Sequence, residues 1–238
     1  MMNRQRLSNN RFDIGRSATP MTLRLIIINV LMWLAQLVWH GRMGFDLTDR
    51  LGLHYMFSDA FGLWQWFSHM FLHSTHGAQH LLFNMYALWL FGSVIERYWG
   101  AIRYLYFYLA CGVSAALLQQ VVWAVEFIQI FGSAVGLPAT VQPFLNLPLG
   151  VGASGAIFGL LLAFGMIFPN RELFLFPLPF PIKAKYMVIG YGLLELYLGL
   201  HPSPGSNVGH FAHLGGMIGG YILIRLWRSK GRIGGGDG

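Results

Sequence analysis

Charge is what this chain has least of: Asp, Glu, Lys and Arg make up only 11% of its 238 residues, against 55% hydrophobic. A water-soluble domain of this length has no interior large enough for so many apolar side chains, so an integral membrane protein of one domain is expected. Cys111, the one cysteine, stands in an apolar run without a partner for an intramolecular disulfide, and cysteine usage therefore carries no information about redox compartment. There is no HExxH, which removes the usual general base of a zinc protease, and no G-x-S-x-G, which removes the strand-to-helix elbow of soluble serine hydrolases. No internal repeat recurs, which weighs against a transporter built from inverted halves.

What the chain does have is long apolar windows, at about residues 23 to 40, 79 to 96, 104 to 126, 151 to 168, 186 to 200 and 209 to 227. Each approaches the roughly 20 residues that a helix needs to cross hydrocarbon, so the expected fold is all-α, a polytopic bundle of six transmembrane helices. β-Branched and aromatic residues do not argue for strands here, because a backbone in lipid must satisfy its own hydrogen bonds. The net charge of +7 does not point to nucleic acid, since the basic residues are not clustered with aromatics. They mark topology instead. Arg4, Arg6, Arg11, Arg16 and Arg24 precede or open the first span, Arg97 and Arg103 flank the turn after the second, Arg171, Lys183 and Lys185 fill the turn after the fourth, and Arg225, Arg228, Lys230 and Arg232 close the chain. Only Arg42 and Arg50 lie on the other side, so both termini are expected in the cytoplasm. The division is then a cytoplasmic segment 1–22, a membrane domain 23–228 and a flexible tail 229–238, with the first span a signal anchor and the compact chain pointing to a bacterial inner membrane.

The linkers differ in kind. Residues 41–78 carry Trp64, Trp66, Phe67 and Phe71 and are expected to lie in the membrane interface. Residues 171–185 hold Pro177, Pro179 and Pro181, which end a helix and make a cytoplasmic turn.

Polar groups inside the windows carry the chemistry. Ser154 lies about three residues into the fourth window, His213 about four into the sixth and Asn84 about five into the second, all three entering from the outside, so at about 1.5 Å per residue they share one depth. A hydroxyl and an imidazole are the nucleophile and base that acyl transfer needs. Small residues at spacings of three and four, Gly152, Gly155 and Gly159 on one helix and Gly209, Gly216 and Gly220 on the other, let those two helices approach closely. A serine on such a helix is more often packing than chemistry, and the histidine at matching depth reverses that balance. Both residues sit near helix N-termini, where free N–H groups favour an oxyanion and a neutral imidazole. His80 and Asn84, one turn apart, point two further donors the same way. Asn84 taken alone reads equally well as an interhelical hydrogen bond. Glu195 is the one acid of the fifth window: it orients a histidine or carries a proton, or, the better-favoured reading, it is protonated and bonded to a neighbour. The working arrangement is a Ser-His dyad.

Gly-Ala-Ser-Gly at 152–155, Ala-His-x-Gly-Gly at 212–216 and His-x-x-x-Asn at 80–84 together resemble the rhomboid intramembrane serine proteases over roughly residues 20 to 228. The Gly92, Glu96 and Gly100 pattern is similar to that family as well. The resemblance implies that Ser154 is the nucleophile and His213 the base, that His80, Asn84 and the Ser154 N–H bind the oxyanion, and that Phe158 packs on the imidazole. It also implies single-pass membrane protein substrates entering sideways near the fifth helix, and no cofactor. One departure is Trp64-Gln65 where many members carry Trp-Arg, which removes an ion pair from the first outer loop. Two rival readings remain. The first is a non-catalytic rhomboid-like binder of membrane helices. The second is a metal-binding membrane protein using His69, His73, His76 and His80, which align only if that segment is one continuous helix.

Overall fold

The computed structural model describes residues 19–39, 46–174, 180–201, 209–231 and 233. The terminal arginines up to Arg16, Arg42, Arg232, Pro177, Pro179 and the 202–208 loop lie outside these described residues. Helices fall on each apolar window: α1 Pro20–Trp39, then after two short turns, α2 Leu47–Leu51 and α3 Gln65–Ser68, a rod made of α4 Gln79–Ala87, a π-helical turn Leu88–Gly92 and α5 Ser93–Trp99. There follow α6 Ala101–Phe131, the short α7 Gln142–Leu145, α8 Ser154–Ile167, α9 Ala184–Leu200 and α10 His210–Ser229. By length and composition, α1 and α6 are each able to cross a membrane alone.

Local sequence explains the boundaries. Pro20 opens α1, where its missing N–H costs nothing, and the first-turn N–H groups of Met21 and Thr22 call for an acceptor that satisfies them. The Glu96 carboxylate on α5 does so, accepting from Met21 N at 2.9 Å, Thr22 N at 2.8 Å and the Thr22 hydroxyl at 2.7 Å. A buried carboxylate with three donors at a helix N-terminus is well satisfied, and it fastens the first helix to the second rod. Gly100, at φ +82°, makes the immediate turn from α5 into α6 that a side chain would strain.

The outer faces are apolar, and the interior holds polar side chains among its apolar core. Leu23, Ile27, Leu31 and Leu34 of α1, and Val121, Val125 and Ile128 of α6, are exposed, whereas Thr22, Asn29 and Gln36 of α1 and Gln120 of α6 are buried. α10 packs against both α6 and α8 along glycines and forms the centre of the bundle with them. A Cβ on Gly216 would run into the Gly155 carbonyl, one on Gly159 into the Cys111 side chain, and one on Gly220 would sit 3.1 Å from Phe107. Gly155, Gly159, Gly216 and Gly220 are thus the close-approach positions. Gly152 and Gly209 precede their helices: a Cβ on Gly152 would sit 3.1 Å from the His80 ring of α4, and Gly209 faces Ala212 of its own chain turn.

Two linkers carry more structure than their sequences alone suggest. The 171–185 turn contains a short antiparallel pair, β1 Glu172–Phe174 with β2 Pro181–Lys183, in register from Glu172 opposite Lys183 to Phe174 opposite Pro181. Backbone outside the helices is free to pair this way, and Pro181 stands at the strand's first position where no ladder N–H is demanded of it. The aromatic segment before α4 is also built into the core. Trp66 packs on a second core of Leu53, Tyr55, Ala116, Trp123, Phe127 and Leu145, and Phe71 joins the main core, while Trp64 and Phe67 stay half exposed.

Gln65 answers for the missing arginine. It is fully buried; its Oε1 accepts from His54 N at 3.0 Å, and its Nε2 donates to the Ala60 carbonyl at 2.9 Å and the Arg50 carbonyl at 3.3 Å. A neutral amide replaces the ion pair as the knot of this loop. Gln65→Ala takes the partner from the His54 N–H and the Ala60 carbonyl, while the Arg50 carbonyl keeps the Trp64 indole N–H at 3.0 Å, and we expect this loop to lose about 2 kcal/mol of local stability. Hydrogen exchange checks it: the His54 amide should exchange roughly 30-fold faster, with α6 and α10 unchanged.

Candidate active site

α8 begins three residues later than its apolar window because Gly152, at φ +132°, cannot join a helix. Gly152 N donates to the His69 carbonyl at 3.0 Å, which ties the lead-in to the outer segment. Ser154 therefore stands at the first position of α8, its N–H and those of Gly155 and Ala156 ahead of the first helical bond, donated by Ile157 to Ala153 O at 3.0 Å. Free backbone donors gather around the hydroxyl. His213 is the fourth residue of α10 and Asn84 the sixth of α4, so counting from helix starts does not put them level. The helix ends are staggered, and packing rather than residue count makes the contact.

Ser154 Oγ and His213 Nε2 lie 2.8 Å apart. The imidazole stacks on Phe158, one turn below Ser154, with centroids 4.3 Å apart and planes 7° from parallel. The ring is held flat against α8 with its edge toward the hydroxyl. Its other nitrogen, Nδ1, is 2.9 Å from Glu195 Oε2, and the same oxygen is 2.7 Å from His210 Nδ1. The His210 approach is an aligned hydrogen bond, whereas the His213 approach is close but off the N–H direction. Glu195 is buried on α9, and its partners are two imidazoles, those of His210 and His213.

His80 stands beside Gly152 at the head of α8, and Asn84 follows one turn along α4. His80 Nδ1 accepts from Ser74 N at 3.3 Å, which leaves the proton on Nε2 as a donor. A Cβ on Gly152 would lie 3.3 Å from that Nε2 and 3.5 Å from Ser154 Oγ, so the glycine keeps the space between them open. Asn84 Nδ2 is buried without a protein partner, an N–H donor with its bond still to be made. Asn84→Ala is expected to lower kcat of any acyl transfer here about 100-fold with little change in KM, because an oxyanion donor acts mainly in the transition state. Steady-state kinetics on a cleavable substrate checks the split.

The four-histidine run does not form one helical face. The chain leaves its helical turn at Leu72 and α4 starts at Gln79, so His69, His73, His76 and His80 are out of register. His69 Nδ1 faces the Gln65 carbonyl at 2.7 Å, and burial holds its pKa down at about 4. His73 is fully buried 5.1 Å from the His80 ring, and burial together with the neighbouring His80 charge pushes its pKa down to about 3. Among the described residues the set whose donor atoms converge enough for a metal is Glu195, His210 and His213, within 4.8 Å of one another.

A hollow of about 740 Å³ lies against Trp99, Arg103, Tyr106 and Trp227. Ser154 itself is half-buried rather than sealed. His210 was not singled out by sequence. Its signal was its place one turn before His213, on the same side of α10, and only the packing of α9 reveals that Glu195 meets both.

Comparison with known proteins bears on what such a site does. The model of the Rhomboid domain matches residues 60–230. The chain is 30% identical to Rhomboid protease AarA of Providencia stuartii over 225 residues, 91% of this chain and 74% of that protein. It is 27% identical to Rhomboid protease GlpG of Haemophilus influenzae over 206 residues, 84% of this chain and 87% of the relative. Rhomboid protease GluP of Bacillus subtilis is 31% identical over 148 residues, covering 61% of this chain but only 23% of that longer protein.

Proposed function

The chain belongs to the rhomboid family, and on that premise we propose that it is an intramembrane serine protease that cuts transmembrane segments of single-pass membrane proteins with Ser154 as nucleophile and His213 as general base. One observation carries the reading: Ser154 Oγ 2.8 Å from His213 Nε2, with the imidazole stacked on Phe158. The membrane domain spans residues 23–228 with six crossings, both termini in the cytoplasm and, in a bacterium, the inner membrane as its place. The exposed apolar faces of α1, α6 and α9 are the surface that lipid covers.

The reaction follows from the groups present. His213 Nε2 takes the Ser154 proton as Oγ adds to the scissile carbonyl, whose oxygen gains the negative charge. That oxyanion is met by the Ser154 N–H at the head of α8, by His80 Nε2–H and by Asn84 Nδ2. The imidazolium then protonates the leaving amine as the C–N bond breaks. Water, deprotonated by His213, hydrolyses the acyl-Ser154, regenerating the hydroxyl and releasing a carboxylate. No step calls for a cofactor. A substrate helix must unwind locally before this attack, since each carbonyl within a helix is hydrogen-bonded and shielded.

The test is cleavage of a model single-pass substrate in liposomes by wild type, Ser154→Ala and His213→Ala. Cleavage by wild type alone supports the reading. Equal cleavage by all three removes the dyad, and no cleavage by wild type while it still captures the substrate helix returns the binder reading.

A further inference from the structure

A serine and a histidine suffice for the reading above, which leaves Glu195 buried on α9 without a task. We propose that Glu195 is a positioning carboxylate, holding His213 in the tautomer that keeps its proton on Nδ1 and leaves Nε2 free to accept the Ser154 proton. The inference rests on the protease reading and extends its dyad to a Ser154–His213–Glu195 relay.

Three observations carry it. Both ring nitrogens of His213 are accounted for, Nε2 at 2.8 Å from Ser154 Oγ and Nδ1 at 2.9 Å from Glu195 Oε2. An imidazole facing a carboxylate through a bare nitrogen would set lone pair against lone pair, so Nδ1 carries the hydrogen and Nε2 is the acceptor. Glu195 is also only 7% exposed, and an ionised carboxylate at that depth persists only beside donors. It has two, and the aligned bond from His210 Nδ1 at 2.7 Å fixes the carboxylate from the other side. Finally, the ring has no freedom to turn away, because Phe158 covers its face. The Nδ1 approach is off-line in the resting arrangement; it straightens as the imidazolium forms and its attraction to the carboxylate grows.

α9 brings a consequence. It shows Leu193, Leu194, Leu196 and Tyr197 to the outside and turns Glu195 inward toward α10. The orientation of the base is thereby tied to the seating of α9: moving this helix outward takes the carboxylate with it.

A competing role for Glu195 is a clip between α9 and α10, and the two separate by measurement. The full chain in detergent or liposomes is assayed on a single-pass substrate as wild type, Glu195→Gln, Glu195→Leu, Glu195→Asp and His210→Gln. A positioning role lowers kcat by about 100-fold or more in Glu195→Gln and Glu195→Leu with KM within about threefold, and Glu195→Asp regains part of the loss. A clip places the loss equally on His210→Gln, which removes the shorter bond, and moves the melting midpoint with it. ¹⁵N NMR of His213 supplies a readout independent of cleavage: the wild type shows a protonated Nδ1 and a bare Nε2, and Glu195→Leu shows mixed tautomers. Unchanged kcat in Glu195→Gln and Glu195→Leu, with cleavage still lost in Ser154→Ala, overturns this inference and leaves the protease reading standing. Were the wild type inactive, the tautomer spectrum would still decide the relay, a bare Nδ1 overturning it. Loss of wild-type cleavage in a chelator assigns the three donors to a cation and overturns it equally.

Discussion

Ser154→Ala is expected to lower kcat by about five to six orders of magnitude, the largest effect of any single substitution in this chain. Alanine removes Oγ and little else: Ser154 makes its side-chain contact with His213, while the α8 backbone, the Phe158 stack and the Glu195 contact do not depend on the hydroxyl. The folded protein should therefore melt within a degree or two of wild type. What survives is the catalysis that backbone and side-chain oxyanion donors give to adventitious water, about 10³-fold over the uncatalysed rate. His213→Ala should fall to nearly the same floor, and the double variant no lower, because nucleophile and base act as one unit. Quenched-substrate kinetics in detergent, with circular dichroism to show that all three proteins fold, reads the whole cycle. Additive losses would mean that the two residues act separately.

The second large effect is expected far from any proton transfer, at Gly216→Ala. A Cβ there meets the Gly155 carbonyl, with the carbonyl carbon 2.7 Å and the Gly155 Cα 3.3 Å away. These are backbone atoms and cannot rotate aside, so α10 must move off α8. Gly155 adjoins Ser154 and Gly216 is one turn from His213, which puts the displacement directly on the nucleophile–base contact. A shift of about 1 Å is worth about 100-fold in rate, and overpacking costs about 1–3 kcal/mol of stability. We expect kcat/KM to fall at least 100-fold and the melting midpoint to drop. Gly220→Ala is the contrast, its Cβ meeting Phe107 at 3.1 Å and Cys111 Sγ at 3.4 Å, side-chain atoms that can yield. Its losses should be smaller by an order of magnitude in rate.

Much of this was legible from residue spacing. Apolar windows located the long helices to within a few residues, because a helix that meets lipid must be apolar over nearly its whole length. The small-residue steps at Gly155, Gly159, Gly216 and Gly220 foretold which helices would touch, since close approach demands missing side chains. The pairing of Ser154 with His213 followed from those two facts. Motif and depth could not show how α8 begins, because the positive φ of Gly152 is a property of the folded turn and shortens the helix to start at the nucleophile itself.

Contacts made through rotation of a helix were the hidden part. Glu195 on α9 reaches the site only because that helix presents it to α10, and no periodicity in an all-apolar sequence says which face turns inward. The same holds for Gln65, whose three bonds to backbone replace an arginine pair that the sequence lacks. In both cases a polar residue surrounded by apolar ones marked the place, and its partner was set by tertiary packing.

The most direct measurement of the central claim is labelling by a fluorophosphonate, which reacts only with a hydroxyl activated by a base. The account predicts one adduct per chain, mapped by mass spectrometry to Ser154, formed quickly in wild type and at least 1,000-fold more slowly in His213→Ala. Labelling at another residue, or equal labelling of Ser154 with and without His213, would contradict it.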